Sequence, residues 1–190
     1  MKMTHYRRAN GFTLIEIITV ISIIAVLATM TVGGFGYFKR VAAENRTRVL
    51  IAGVSRGLDE YRSDYGFFPS GNGEEGSSEQ VYIALYGDGA LAIDSNSHAV
   101  TIVAEPDGKP DEGQDVYMGV LNPELKGSQR NVELIDGYYA IVDAWGNEIR
   151  YQNPGEMNPG DDFDLWSYGP DLEGGPRGSE DYNADDITNW

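Results

Sequence analysis

Residues 12–32 read FTLIEIITVISIIAVLATMTV, 21 positions with a single charge, Glu16. As a helix rising about 1.5 Å per residue this run would be roughly 32 Å long, close to the ~30 Å hydrocarbon core of a bilayer. Gly33, Gly34 and Gly36 then interrupt the pattern. Each Gly costs up to about 1 kcal/mol of helix stability relative to Ala, so the stretch predicts a flexible joint unless lipid or neighbouring helices hold it helical. Beyond it Leu50, Val54, Leu58, Tyr61 and Tyr65 fall at spacings of four, four, three and four. That stripe lines one helix face and is expected to dock onto a globular head. Gly66 and Pro69 mark the exit. The pattern therefore predicts one long helix, buried in lipid at one end and half-buried in protein at the other.

The remaining chain is less periodic. Residues 70–78, rich in Gly, Glu and Ser, read as a loop, residues 81–86 as a short helix, and residues 87–114 as loop-rich with one strand at 99–104. Residues 138–143, 148–152 and 164–167 read as three short strands, the first two joined by a tight turn at Trp145-Gly146-Asn147. The fold class is α+β, a long N-terminal helix packed on a small antiparallel sheet. Tyr61, Tyr65, Phe67 and Phe68, beside the helix exit, are expected in the head core and not as a stacking platform; Trp145 and Trp166 are expected to pack in the sheet.

Charge divides the chain. The 190 residues suffice for one compact domain plus an extension. A formal charge of -16 argues against nucleic-acid binding through phosphate contacts. The segment 1–11 carries Lys2, Arg7 and Arg8 and no acid, which by the positive-inside rule leaves it in the cytoplasm and the acidic bulk across the membrane. From 39 to 62 six bases face three acids, whereas from Asp64 onward 26 acids face five bases. With no Cys, disulfides, thiolate metal sites and cysteine nucleophiles are excluded. A secretory signal peptide is the competing account of the N-terminus, but its apolar core usually runs about 7–15 residues and ends in a small-x-small cleavage site.

Two acidic stretches invite chemistry. Between Tyr168 and Asp186 the chain offers Asp171, Glu173, Glu180, Asp181, Asp185 and Asp186, with Gly169, Gly174, Gly175 and Gly178 allowing tight curvature. Ca²⁺ takes six to eight oxygens from carboxylates and carbonyls on such a backbone, although EF-hand spacing is absent and a solvated loop without metal is the alternative. Asp161, Asp162 and Asp164 would suit a membrane-tethered hydrolase or carbohydrate-binding module. Acids adjacent in a Gly-Pro loop more often solvate it, no Ser-His-Asp arrangement is apparent, and the histidines are only His5 and His98, the latter expected at the surface. No enzymatic activity is expected.

The run from Lys2 to Ala9, Asn10, then Gly-Phe-Thr-Leu-Ile-Glu at 11–16 and an apolar helix, closely resembles the class III signal of type IV pilin-like proteins. The resemblance implies that a membrane-embedded aspartyl prepilin peptidase cuts after Gly11 and methylates Phe12, so the apolar run is retained. Glu16 would then be the fifth residue of the mature chain. A carboxylate in hydrocarbon costs about 2.5–3.5 kcal/mol on insertion scales, so Glu16 needs a partner. A neighbouring subunit's N-terminal amine would supply one and fix the axial register; the alternative is a charge that snorkels to the interface.

The segments Asp-Ala-Trp-Gly-Asn at 143–147, Ile-Arg-Tyr at 149–151, Asp-Leu-Trp-Ser-Tyr-Gly-Pro-Asp at 164–171, Gly174-Gly175 and Asn-Ala-Asp-Asp-Ile-Thr-Asn-Trp at 183–190 look like the G-type major pseudopilin of type II secretion systems. So does Glu-Tyr-Arg-Ser-Asp-Tyr-Gly-Phe-Phe-Pro at 60–69. The likeness covers roughly 1–70 and 138–190; residues 71–137 carry none and are expected to be longer than in standard members. The resemblance implies a pilin-like fold with a C-terminal calcium-binding loop, in which the Tyr168 and Pro170 carbonyls and the Asp171 and Asp185 carboxylates match ligand positions. Asp181 is added, although the loop length before Asn183 varies. Two departures stand out: Gly33 replaces a common proline, and Gly-Pro-Asp-Leu at 169–172 replaces Gly-Ala-Asp-Gly, which leaves the backbone at Leu172 open.

The implied organisation is a cleaved leader at 1–11, a transmembrane and assembly half of the first helix at 12–36, and a periplasmic head at 37–190, on a single-pass inner-membrane protein. The implied role is a structural subunit that self-associates into the helical filament of the periplasmic pseudopilus and so drives export of folded proteins. Minor pseudopilins, an inner-membrane assembly platform and the prepilin peptidase would be its partners. The alternative is a type IV pilus major pilin for adhesion or motility. Many pilins close their C-terminal loop with a disulfide, so the lack of Cys favours the pseudopilin.

Overall fold

The computed structural model describes residues 12–94, 99–158, 163–174 and 185–190, and the side chains of all of these but 30–35. The chain divides into two compact units, one ending at Val41 and one from Ala42 to Trp190. The helix α1 (Leu14–Tyr65) begins in the first and ends in the second.

Thr13 starts α1 by a reciprocal cap. Its N–H and hydroxyl donate to Glu16 Oε2 at 2.8 and 2.7 Å, and its Oγ1 accepts from the Glu16 N–H at 3.4 Å. This is a T-x-x-E capping box, which satisfies amides that the first helical turn leaves open. In the first unit the apolar side chains face outward: Leu14 is 77% exposed and Leu27 58%. The hydroxyls of Thr19, Ser22 and Thr29 donate back to carbonyls of their own helix, so these polar groups are met without water. Among the described residues no helix is long and apolar enough to cross a membrane; Leu14 to Thr29, before the side chains left undescribed, is about 24 Å of helix. The backbone stays helical through Gly33, Gly34 and Gly36, the second of the two readings open for this stretch. A penalty of about 1 kcal/mol per Gly is local, whereas each added helical residue contributes a hydrogen bond.

In the second unit the expected stripe is the buried face of α1. Leu50, Ile51, Val54, Leu58 and Tyr61 share one core with α2 (Glu79–Tyr86) and with Tyr151, Phe163, Leu165 and Ile187. Tyr65, the last position of the stripe, is instead 46% exposed and stacks on Tyr61 at 4.5 Å. Gly66 ends the helix at φ +83°, its N–H donating to the Arg62 carbonyl at 2.7 Å. Phe68 is buried and Phe67 packs against the core, as expected of aromatics at the exit.

Among the described residues eight short strands follow: β1 (Gly71–Asn72), β2 (Ala90–Ile93), β3 (Val100–Ala104), β4 (Val132–Ile135), β5 (Tyr138–Ile141), β6 (Arg150–Asn153), β7 (Asp164–Ser167) and β8 (Ile187–Thr188). They form an antiparallel sheet in the order β1-β6-β7-β8 and two hairpins, β2-β3 and β4-β5. The turn at 145–147 is present: the Asp143 N–H donates to the Asn147 carbonyl at 2.8 Å, and Val142 bridges Glu148. The architecture is α+β, as expected. The expected loop at 70–78 nonetheless contains β1, which pairs with Gln152 and Asn153.

Burial pushes the Tyr61 hydroxyl up to about 12, with Tyr65 adding to it. Burial pushes Tyr138 up to about 12 as well, helped by the Glu148 charge. An unfolded chain releases these protons near pH 10, so their share of stability is intact below that pH and is lost as pH rises toward about 12. Urea midpoints at successive pH values should therefore fall across that window and be flat just below it.

Candidate functional site

The C-terminal loop is held at its start by the turn that precedes β6. Asp143 is buried; its Oδ1 accepts the N–H groups of Trp145 and Asn147 at 2.8 and 2.9 Å, and its Oδ2 accepts the Ser167 hydroxyl at 2.7 Å. Burial pushes this carboxyl above its ordinary range, against the downward pull of hydrogen bonds from Ser167, Asn147, Trp145 and Gly146. Ser167 Oγ in turn accepts the Gly169 N–H at 3.1 Å, and the Asn147 amide donates to the Gly169 carbonyl at 2.7 Å. The Asp-Ala-Trp-Gly-Asn segment is thus a clamp on residues 167–169, and Trp145 packs on the core beside it.

The end of the chain closes over that clamp. Gly169 has φ +71°, and a Cβ there would stand 2.7 Å from the Asp185 carbonyl and 3.2 Å from Asp185 Oδ2. No larger residue fits. Asp186, buried, lies against Gly174, where a Cβ would collide with its carboxylate. Asp171 is exposed and its Oδ1 accepts the Glu173 N–H at 3.0 Å. Tyr168 is half-buried, edge-on to Trp166 at 6.4 Å, with the Arg150 guanidinium 5.9 Å from its ring centre; Pro170 is exposed. Trp166 itself is buried in β7.

Of the expected ligands, Tyr168, Pro170, Asp171 and Asp185 therefore sit in a loop whose two ends meet at Gly169, while Asp181 lies outside the described residues. Among the described residues no group of three or more His, Cys, Asp or Glu could hold a metal ion. The donors within reach of the loop are backbone carbonyls and the carboxylates of Asp171 and Asp185, oxygen chemistry that suits a hard cation in kind.

Leu172 takes φ +63° and is 62% exposed. It occupies the left-handed conformation at the position where the resemblance has Gly, at a cost of about 1–2 kcal/mol for an L-residue. Leu172→Gly should stabilise the head by about 0.5–1 kcal/mol after the extra chain entropy of Gly is deducted, read as a higher urea midpoint at unchanged slope.

Of the hydrolase candidates only Asp164 is among the described residues, and it serves the fold. Asp164 is fully buried and accepts the backbone N–H groups of Glu156, Met157 and Asn158 at 2.7, 2.8 and 2.9 Å, so its carboxylate holds the β6–β7 connection. Asp161, Asp162 and His98 lie outside the described residues, as does Gly11. At the other terminus Phe12 is 84% exposed. Glu16 carries the helix cap described above, a role that the spacing Thr13-x-x-Glu16 signals and that sequence reading missed.

A helix beginning just after a Gly-Phe-Thr processing motif, followed by a small antiparallel head, defines a prepilin-type chain, and residues 6–32 match the prokaryotic N-terminal methylation motif. That motif points to inner-membrane anchoring. Residues 109–190 match type II secretion system protein G. Together the two matches support a type II secretion pseudopilin. The protein G match begins well before residue 138, where the likeness had been placed, and residues 33–108 lie outside both matches. No curated protein and no solved structure matches the chain.

Proposed function

We propose that this chain is a structural subunit that polymerises into the periplasmic pseudopilus of a type II secretion system and acts by assembly, catalysing no reaction. The observation that carries the reading is the uncovered apolar start of α1, from Leu14 to Leu27, within the stretch that matches the methylation motif. A surface of that kind is unstable in water and needs lipid before assembly and neighbouring helices after it. In this reading the prepilin peptidase cuts after Gly11 and methylates Phe12, the helix then spans the inner membrane with the head in the periplasm, and the assembly platform and minor pseudopilins act on it there. Glu16, capped by Thr13 in the single chain, exchanges part of that partnership for the N-terminal amine of the next subunit. The match to protein G over the C-terminal segment favours this role over a type IV pilus pilin. A calcium ion held by the Tyr168 and Pro170 carbonyls with Asp171, Asp181 and Asp185 would brace the loop that closes the head.

Deletion of the chain should abolish secretion of folded exoproteins and leave surface pili intact, and the mature protein should begin at methylated Phe12. Glu16→Ala should be processed normally yet fail to form filaments, because a carboxylate that selects the register is gone. Filaments as abundant as those of the parent would refute the role given to Glu16, and unaltered secretion on deletion would refute the function.

A further inference from the structure

The outer flank of α1 and the stretch that follows β3 bear opposite charge. Arg48, Ser55, Arg56 and Asp59, with Ile51, line one side of a groove of about 470 Å³ whose other side is Thr188 and Asn189. Arg48 is exposed and makes no ion pair among the described residues, and its neighbour Val49 is 73% exposed. Arg56 pairs with Glu60 at 3.0 Å, but with its side chain 81% exposed that pair holds it weakly. Ser55 Oγ is buried in the groove wall with no hydrogen-bond partner among the described residues. Asp59 is the one acid in the groove, so the face is net basic.

Residues 105–115 answer it. Glu105, Asp107, Asp111, Glu112 and Asp115 are exposed there with Lys109 as the only base, and Val103 and Val116, 63% and 46% exposed, flank them. The stretch is pinned from below: buried Asp88 accepts the N–H groups of Asp107 and Gly108, both at 2.8 Å, and Asp111 accepts the Gly89 N–H at 3.0 Å. Charges displayed on a fixed backbone lose little freedom on docking. The two surfaces are different patches of one chain, and a contact between different patches is heterologous; repeated copy to copy without closing, it generates an open helical array.

We propose that the groove around Arg48 receives the acidic stretch 105–115 of a second copy of this chain, with Val49 and Val116 as the apolar flanks of the contact. The inference rests on the filament reading and adds to it a pair of partner surfaces, of which the α1 side of the groove lies outside both family matches. Because the chain has no Cys, single cysteines report cleanly on neighbours. Two full-length copies with different tags, one Val49→Cys and one Val116→Cys, are assembled together in a secreting host and oxidised. A disulfide-linked pair carrying both tags is expected. Arg48→Glu in the first copy should lower its yield about fivefold, and Glu112→Arg in the second should restore it. Filaments seen by electron microscopy without that mixed pair, or with a pair indifferent to both reversals, would overturn the contact and leave the filament reading standing. Absence of filaments from unsubstituted copies would overturn both.

Discussion

Glu148→Ala should destabilise the head by about 3–5 kcal/mol, the cost of removing one partner from a buried, hydrogen-bonded charge. The Glu148 carboxylate is buried, with its side chain 5% exposed, and three segments converge on it. The Gly76 N–H donates to both oxygens at 3.1 Å, the Ser78 hydroxyl to Oε1 at 2.9 Å, the Tyr138 hydroxyl to Oε2 at 3.3 Å, and Arg150 pairs with Oε2 at 3.2 Å. Ser78 Oγ also accepts the Ile141 N–H at 3.1 Å, so the network ties the start of α2 to β5 and β6. Alanine would leave the Gly76 amide without an acceptor and Arg150 without its counter-charge, and each such loss inside a protein costs more than the hydrogen bond contributed. Thermal unfolding of the full chain in detergent should move down by about 10 °C, and Glu148→Gln, which keeps an acceptor, should lose less. A shift below about 2 °C for the alanine variant would mean that the network is a surface feature and not a brace. The Tyr138 hydroxyl offers a second readout, since without the neighbouring negative charge its raised titration should move back toward the ordinary range.

Period and spacing made much of this fold legible. The α1 stripe from Leu50 to Tyr61 could be read because burial on one side of a long helix repeats often enough to stand above chance. Helix α2 and strands β3, β5, β6 and β7 were also readable, within a residue or two of their ends. What was missed is short. Strands β1 and β8 have two residues each, too few for alternation to register. Strand β4 did leave a sign in Asp136-Gly137, whose φ values of +47° and +99° make the tight turn into β5. Asp-Gly between apolar runs is a strong hairpin signal and was passed over. The site divides in the same way. Acids and glycines near the C-terminus are visible as composition, and the Gly169 contact with Asp185 bears out that the loop doubles back on itself. The clamp of Asp143 and Asn147 on Ser167 and Gly169 could not be read, because it joins positions more than twenty residues apart through side chains whose partners no local pattern names.

Removal of calcium is expected to have an effect of nearly the same size as loss of Glu148. The last strand, β8, has two residues, pairs among the described residues with Ser167 and Trp166, and buries Ile187 in the core. So short a strand is not self-sustaining, and the segment carrying it begins at Asp185 and Asp186, two adjacent acids packed against Gly169 and Gly174 on the strand of loop that also bears Asp171 and Glu173. An ion bound only by the folded chain adds about 2.7–4 kcal/mol when present at 100–1,000 times its dissociation constant. Excess chelator should then lower the melting temperature of the full chain by about 5–15 °C, and restored calcium should reverse it. Magnesium should be a poor substitute, since it demands tight octahedral geometry that a long loop with carbonyl donors supplies badly. Asp185→Ala and Asp171→Ala should each melt low and no longer respond to chelator; a variant that kept the full response would remove that residue from the ligand set. Should the parent chain melt at one temperature with and without calcium, the loop would have to be held by the Asp143 and Asn147 clamp and the burial of Ile187 alone, and Asp143→Ala would then become the substitution that releases the C-terminus.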